Sequence, residues 1–289
     1  MKWRTALELG RVSNLPTVWS NCLAGAVLGG ASWHTPALLV VAVAVSLMYL
    51  GGMFLNDAFD ADWDAQHKPE RPIVRGAASR QEVWTTGGIL LAAGPLVMLS
   101  LHLFSEGRDN TLALAGSLLL AVAILAYDRV HKRVAYSPWL MGACRLLVYA
   151  TAGLATGEMT PLLAAGGLAL MAYIVGVTYA ARAEHLNDPG SWWPLLLLAS
   201  PALLAASLVP ARPESVAVLG ILLFWLMLRS RDLLPGPRQN VPAAVGGLLA
   251  GISLIDASLL AGSGAWVPAG LALAAFAATL SLQRSIAGT

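Results

Sequence analysis

The sequence predicts an all-α, polytopic membrane bundle of nine or ten transmembrane helices, and three observations carry that expectation. Hydrophobic residues make up 57% of the 289 positions and charged residues 12%, with a mean hydropathy of +0.67, more apolar material than a soluble core absorbs. The apolar residues fall in runs of about 20, the length at which a helix crosses a bilayer. Lysine and arginine gather at one side of those runs, as short cytoplasmic loops require.

Taken in order, the candidate runs are 15–32, 37–59, 83–104, 110–127, 138–156, 161–181, 192–209, 215–234, 241–261 and 265–283. If all ten cross, fifteen of the 18 lysines and arginines share the side of the amino terminus. Arg108 and Arg212 fall opposite, and Arg145 lies inside a run. The amino terminus and the polar loops after the second, fourth and sixth runs are therefore expected in the cytoplasm. The first dozen residues lack the brief apolar core and small-residue cleavage site of a removable signal peptide. Cys22 and Cys144 sit in apolar runs and are expected to pack rather than to pair. Nothing repeats at a fixed period and no Gly/Ser linker divides the chain, so residues 1–289 read as one membrane-embedded domain. The lipid bilayer is the partner that composition demands, and no nucleic-acid partner is expected.

The chemically dense stretch is NDAFDADWDAQHKPERPIVRG, residues 56 to 76. Asp57, Asp60 and Asp64 stand at i, i+3 and i+7, so at about 100° per residue they share one face of a helix continuing out of the second run. Asn56 adds a neutral oxygen. Clustered acids repel, and where part of a site is desolvated they must be protonated, paired or bound to cations. Magnesium suits them, because it takes one or two carboxylates together with phosphate oxygens and retained water. His67, Lys68, Arg71 and Arg75 then supply the cations that a diphosphate needs. A solvated acidic loop between two spans is the plainer alternative, but it requires neither the helical register nor the asparagine.

These residues also carry a resemblance. Asn56, Asp57, Asp60 and Asp64 reproduce the NDxxDxxxD motif of the UbiA superfamily of intramembrane prenyltransferases, and KPERPIVRG resembles the basic loop that follows it there. The resemblance implies a bundle of membrane helices along the whole chain, usually nine, so a tenth run is a departure. It further implies magnesium-dependent transfer of a prenyl group from an isoprenoid diphosphate donor to an acceptor, with one or two Mg2+ ions held by the aspartates and Asn56 and with Lys68 and Arg71 on the diphosphate. The loop YDRVHKRVAYSPWLMGACR, residues 127 to 145, resembles the family's tyrosine-to-lysine loop, with Tyr127 and Lys132 as matches, and its wording is similar to the EboC-like branch. Arg145 follows inside a span, where a guanidinium must meet an anion or a water-filled cavity. Arg129 and Arg133 are read as topology determinants and His131 as a surface residue.

The third loop, YAARAEHLNDPG, stands where the family carries a second acidic motif, DxxxD, for a second metal. Glu184 and Asp188 match it with a glutamate in the first place, and Arg182 is the adjacent cation. Asp188 precedes Pro189, where helical geometry is disfavoured, so a polar cytoplasmic turn stays open as the alternative. In the first run Asn21, near Thr17, either lines the acceptor end of a pocket or bonds another helix. Tyr127, Tyr149 and Tyr179 are candidate aromatic faces for a cation-like prenyl fragment. Asp256, in the ninth run, is expected to be paired structurally. A UbiA-type terpene cyclase and a transporter gated by a cation are the competing functions. No residue selects the acceptor or the prenyl chain length.

Overall fold

The computed structural model of the chain describes residues 1–105, 108–182, 192–286 and 288. Every regular element among them is helical: α1 (Trp3–Leu9), α2 (Leu15–Leu28), α3 (Pro36–His67), α4 (Arg80–Phe104), α5 (Thr111–Val130), α6 (Ser137–Thr156), α7 (Pro161–Ala181), α8 (Ser200–Leu208), α9 (Val216–Arg231), α10 (Val241–Gly262) and α11 (Trp266–Gln283). Proline stands in the first turn of α2, α3, α6, α7, α8 and α10, where its missing N–H would have had no helical partner. At the start of α4 the Ser79 hydroxyl accepts from the Glu82 amide at 3.2 Å, and the Glu82 carboxylate accepts from the Ser79 amide at 3.0 Å. This reciprocal cap fixes where the basic loop ends and the next membrane helix begins.

Among the described residues, eight of the expected runs are helices long and apolar enough to cross a membrane, namely α3 to α7, α9 with the turn before it, α10 and α11. They make the chain a multi-pass integral membrane protein. The first and seventh runs are shorter than the sequence suggests. The first yields α2, 14 residues that end before Gly30 at φ +83°, a conformation that favours glycine. The seventh contains Pro194 and Pro201, and it splits into a 3-10 turn, Trp193–Ala199, followed by the nine-residue α8.

α2 and α10 are the interior helices, each burying most of its side chains. α2 packs against α3, α6, α10 and α11, so the last helix closes onto the first part of the chain. α3 has 32 residues, about 48 Å of helix. That exceeds the roughly 30 Å hydrocarbon core, and the acidic turns are the part that emerges.

The pairing of α3 with α4 holds that end in place. At Gly51 an added Cβ would lie 2.5 Å from the Leu91 amide nitrogen and 2.8 Å from the Gly87 carbonyl oxygen, so the two backbones touch where no side chain fits. Gly51→Ala is expected to lower stability by about 1–3 kcal/mol through overpacking. Gly88→Ala, where an added Cβ meets nothing within 4 Å, should be neutral or slightly stabilising. Thermal unfolding of the two variants in detergent checks the contrast, and equal midpoints would contradict it.

Candidate active site at the emerging end of the bundle

The helical register of the acidic stretch holds through to His67, and it divides the four aspartates as the spacing predicts. Asp57, Asp60 and Asp64 are buried, at 4%, 8% and 4% exposure. Asp62 points away, with its side chain 84% exposed and bonded to Arg80 at 3.1 Å. Each buried acid is met by a cation from another element. Arg11 donates to Asp57 at 3.1 Å, and Arg71 lies 3.8 Å from Asp57 and 4.0 Å from Asp64. His131 and Lys132 converge on one oxygen of Asp60 at 3.1 and 3.3 Å. Lys132 also sits 3.6 Å over the Trp63 ring, so an aromatic face completes its surroundings.

Asp60, Asp64 and Asn56 line one cavity of about 220 Å3, together with Arg11, Lys68, Arg71, His131, Lys132 and Arg145. A smaller, apolar pocket of about 80 Å3 adjoins it between α2, α3, α5 and α6. Tyr49, Met53, Tyr127, Met141 and Arg145 line both. A charged basin thus lies beside an apolar slot, and Tyr127 and Arg145 stand at the junction.

Among the described residues no three His, Cys, Asp or Glu side chains come together as a metal cluster. The donor chemistry nevertheless fits magnesium, because Asp60 and Asp64 present hard oxygens to a common cavity and two carboxylates suffice when phosphate and water complete the shell. Asn56 is placed differently from the metal-ligand expectation. Its carbonyl oxygen accepts from Arg11 at 3.3 Å and its amide donates to Asp128 at 3.2 Å, so it ties α3 to α5. Glu184 and Asp188, the expected second acidic pair, lie outside the described residues.

Other expectations are relocated by packing. Asn21 does not line the cavity; it is fully buried between Arg145 and Asp256. Tyr149 is equally buried and donates to Asp256, because its position on α6 faces the interior helices. Tyr179 and Arg182 both donate to the Ala135 carbonyl, at 3.3 and 2.7 Å, which fastens the end of α7 to the loop after α5 rather than to the cavity. His131 is not a surface residue: its side chain is 12% exposed, because α5 extends to Val130 and turns the ring back toward α3, stacked on Tyr127 at 5.0 Å.

Three residues escaped the sequence reading. Arg11 counted only as a charge at the cytoplasmic side, yet it adopts φ 41°, uncommon for a non-glycine residue, and reaches Asn56 and Asp57. Burial disfavours its charge, but Asp57 above all, with Asp60, holds its pKa above the ordinary arginine value. His131 is the second. Asp128 is the third, buried with one oxygen bonded to Asn56 and the other without a partner among the described residues. The available signal was the adjacency of Asp128 and His131 to Tyr127 and Lys132. For Arg11 there was none beyond a basic residue ahead of an apolar run.

The profile of the UbiA prenyltransferase family matches residues 14–188. The digeranylgeranylglyceryl phosphate synthase of Ignicoccus hospitalis is 36% identical over 34% of this chain and 32% of its own. That of Methanothrix thermoacetophila is 34% identical over 43% of each. The chloroplastic chlorophyll synthase of Arabidopsis thaliana is 36% identical over 41% of this chain and 33% of its own. The chain thus spans less than half the length of these curated relatives. In fold it is similar to a structure solved for digeranylgeranylglyceryl phosphate synthase, with a TM-score of 0.62 and 20% identity over 91% of this chain and 98% of that one. It is similar also to a UbiA homologue from Archaeoglobus fulgidus bound to GPP and Mg2+, with a TM-score of 0.62 and 14% identity over 91% of this chain and 99% of that one.

If Arg11 neutralises Asp57, removing either alone is worse than removing both. Arg11→Met should destabilise the chain, and Asp57→Asn added to it should recover part of the loss, a coupling of about 1–3 kcal/mol. Unfolding midpoints of the two single variants and the double variant measure it; strict additivity would refute the pairing.

Proposed function

The chain belongs to the UbiA prenyltransferase family, and from that premise we propose that it transfers a prenyl group from an isoprenoid diphosphate to a small or lipid-like acceptor, releasing diphosphate. The observation that carries this reading is the adjacency of the charged cavity and the apolar pocket, which share Tyr127 and Arg145 as lining residues. A prenyl diphosphate has the same division, a multiply charged head joined to an apolar chain. The names of the curated relatives, digeranylgeranylglyceryl phosphate synthase and chlorophyll synthase, support the same class of reaction. We place the cavity mouth on the cytoplasmic side, following the distribution of basic residues, and read residues 1–289 as one domain.

Asp60 and Asp64 would hold magnesium, which when bound neutralises diphosphate oxygens as a Lewis acid. Lys68, Arg71 and Lys132 surround the same space and would take up the remaining charge. Lys132 now rests on Asp60, and Arg71 lies beside Asp57 and Asp64; in the reading proposed, both turn toward the diphosphate as it enters. Breaking the allylic carbon–oxygen bond moves negative charge onto the diphosphate, and cations fixed in advance stabilise that state more than the ground state. The chain fragment left behind becomes electron-poor. Tyr127 lines the junction and offers it an aromatic face, while the apolar wall of Val18, Val45 and Val148 keeps water from it.

Purified protein given farnesyl or geranylgeranyl diphosphate, magnesium and a cell extract is expected to release diphosphate, and EDTA should stop the release. Asp60→Asn should abolish it, because the variant loses a metal oxygen and the anchor of Lys132 together. Full turnover by that variant, measured with a coupled pyrophosphatase assay, would remove the assigned role.

A further inference from the structure

Arg145 lines the cavity with no carboxylate within ion-pair distance among the described residues. Its Nη1 donates to the Asn21 carbonyl oxygen at 2.7 Å and its Nη2 to the Thr17 hydroxyl at 3.3 Å. Thr17 spends its own proton on the Asn14 carbonyl at 2.7 Å, so its lone pairs face the guanidinium. Asn21 in turn donates to both oxygens of Asp256, at 2.8 and 3.1 Å. Its amide can point only one way, because reversal would set NH2 against the guanidinium and oxygen against the carboxylate.

Asp256 itself has no exposure to solvent. Besides Asn21, it accepts from Tyr149, one turn beyond Arg145 on α6. A carboxylate buried in an apolar helix is costly unless a positive charge answers it. Here the answering charge is one side chain away, with Asn21 polarised between them. Ion-pair energetics alone would be served by direct contact. The interposed amide instead sets Arg145 at the junction of cavity and pocket with N–H donors still uncommitted.

We infer that Asp256 is a positioning residue: acting through Asn21, it holds the Arg145 guanidinium at the junction of the charged cavity and the apolar pocket, where it meets the anionic head of a prenyl diphosphate. The positioning stands on geometry alone; the identity of the anion rests on the function proposed above. The relay ties α10, α2 and α6 into one unit, so a helix that contributes no acid or base to the cavity controls a cation within it.

The test uses the full chain in lipid nanodiscs with 15N-labelled arginine, and geranyl diphosphate with magnesium as the binding probe. The guanidinium resonance that disappears in Arg145→Lys belongs to Arg145, and in the native chain its Nη groups should rotate slowly. Asp256→Asn should speed that rotation and weaken geranyl diphosphate binding about tenfold, the effect of losing one charged, buried hydrogen-bond relay. Joining Asp256→Asn with Asn21→Asp moves the carboxylate next to Arg145 and should restore the slow rotation; if the single variant does not fold, the rotation rate in this exchange decides the matter against the native chain. An Arg145 signal unchanged by Asp256→Asn would overturn the inference. So would a binding loss of equal size in the Arg145→Lys background, because a residue acting through Arg145 has no effect once the guanidinium is gone. If the native chain binds no geranyl diphosphate, the diphosphate reading fails, and the rotation rates alone decide the relay.

Discussion

The structure depends on the desolvation of three carboxylates at the end of one long helix. Asp57, Asp60 and Asp64 are each under a tenth exposed, and such groups cost several kcal/mol apiece unless charge answers them. The answer comes from separate places in the chain: Arg11 before α2, Arg71 in the loop after α3, and His131 with Lys132 after α5. Electrostatic need therefore gathers loops that sequence separates, and the cavity is the space between them. In the reaction proposed, the same cations, resting on acids, are already placed for a multiply charged ligand.

The apolar half of the molecule supplies what the charges cannot. α2 and α10 form an interior in which most positions are buried, and the pocket between α2, α3, α5 and α6 is lined mainly by valine, leucine, isoleucine and methionine. Glycines let backbones approach where that interior must be tight, as at Gly51 against α4 and at Gly25, where an added Cβ would lie 2.7 Å from the Tyr149 carbonyl oxygen. These approaches fix α3, which carries Asp60, against α4, and α6, which carries Arg145, against α2.

How much could be read beforehand varied with the kind of interaction involved. The class was plain from composition, and the facing of Asp57, Asp60 and Asp64, against the outward Asp62, followed from helical periodicity, a local property. Span number was less legible, since α2 and α8 are cut short by a glycine turn and by prolines inside hydrophobic runs that look continuous. Arg11 and His131 were missed because their roles arise only when α2 and α5 approach α3. For Asn21 the sequence leaves a pocket and another helix equally open, and Tyr149 reads as an aromatic face for the ligand, because polarity in an apolar run announces a partner without saying which kind it is. Here the partner is Asp256, more than a hundred residues away in sequence.

We propose that these carboxylates and their cations form a metal–diphosphate site. Crystals grown with Mn2+ in place of magnesium and a non-cleavable prenyl diphosphate analogue test it most directly, through the anomalous signal of the metal. A peak is expected within coordination distance of Asp60 and Asp64, with the diphosphate between them and Lys132 and the chain in the pocket beyond Tyr127. A metal and analogue bound elsewhere, with the pairs of Asp60 to His131 and Lys132 undisturbed, would contradict it.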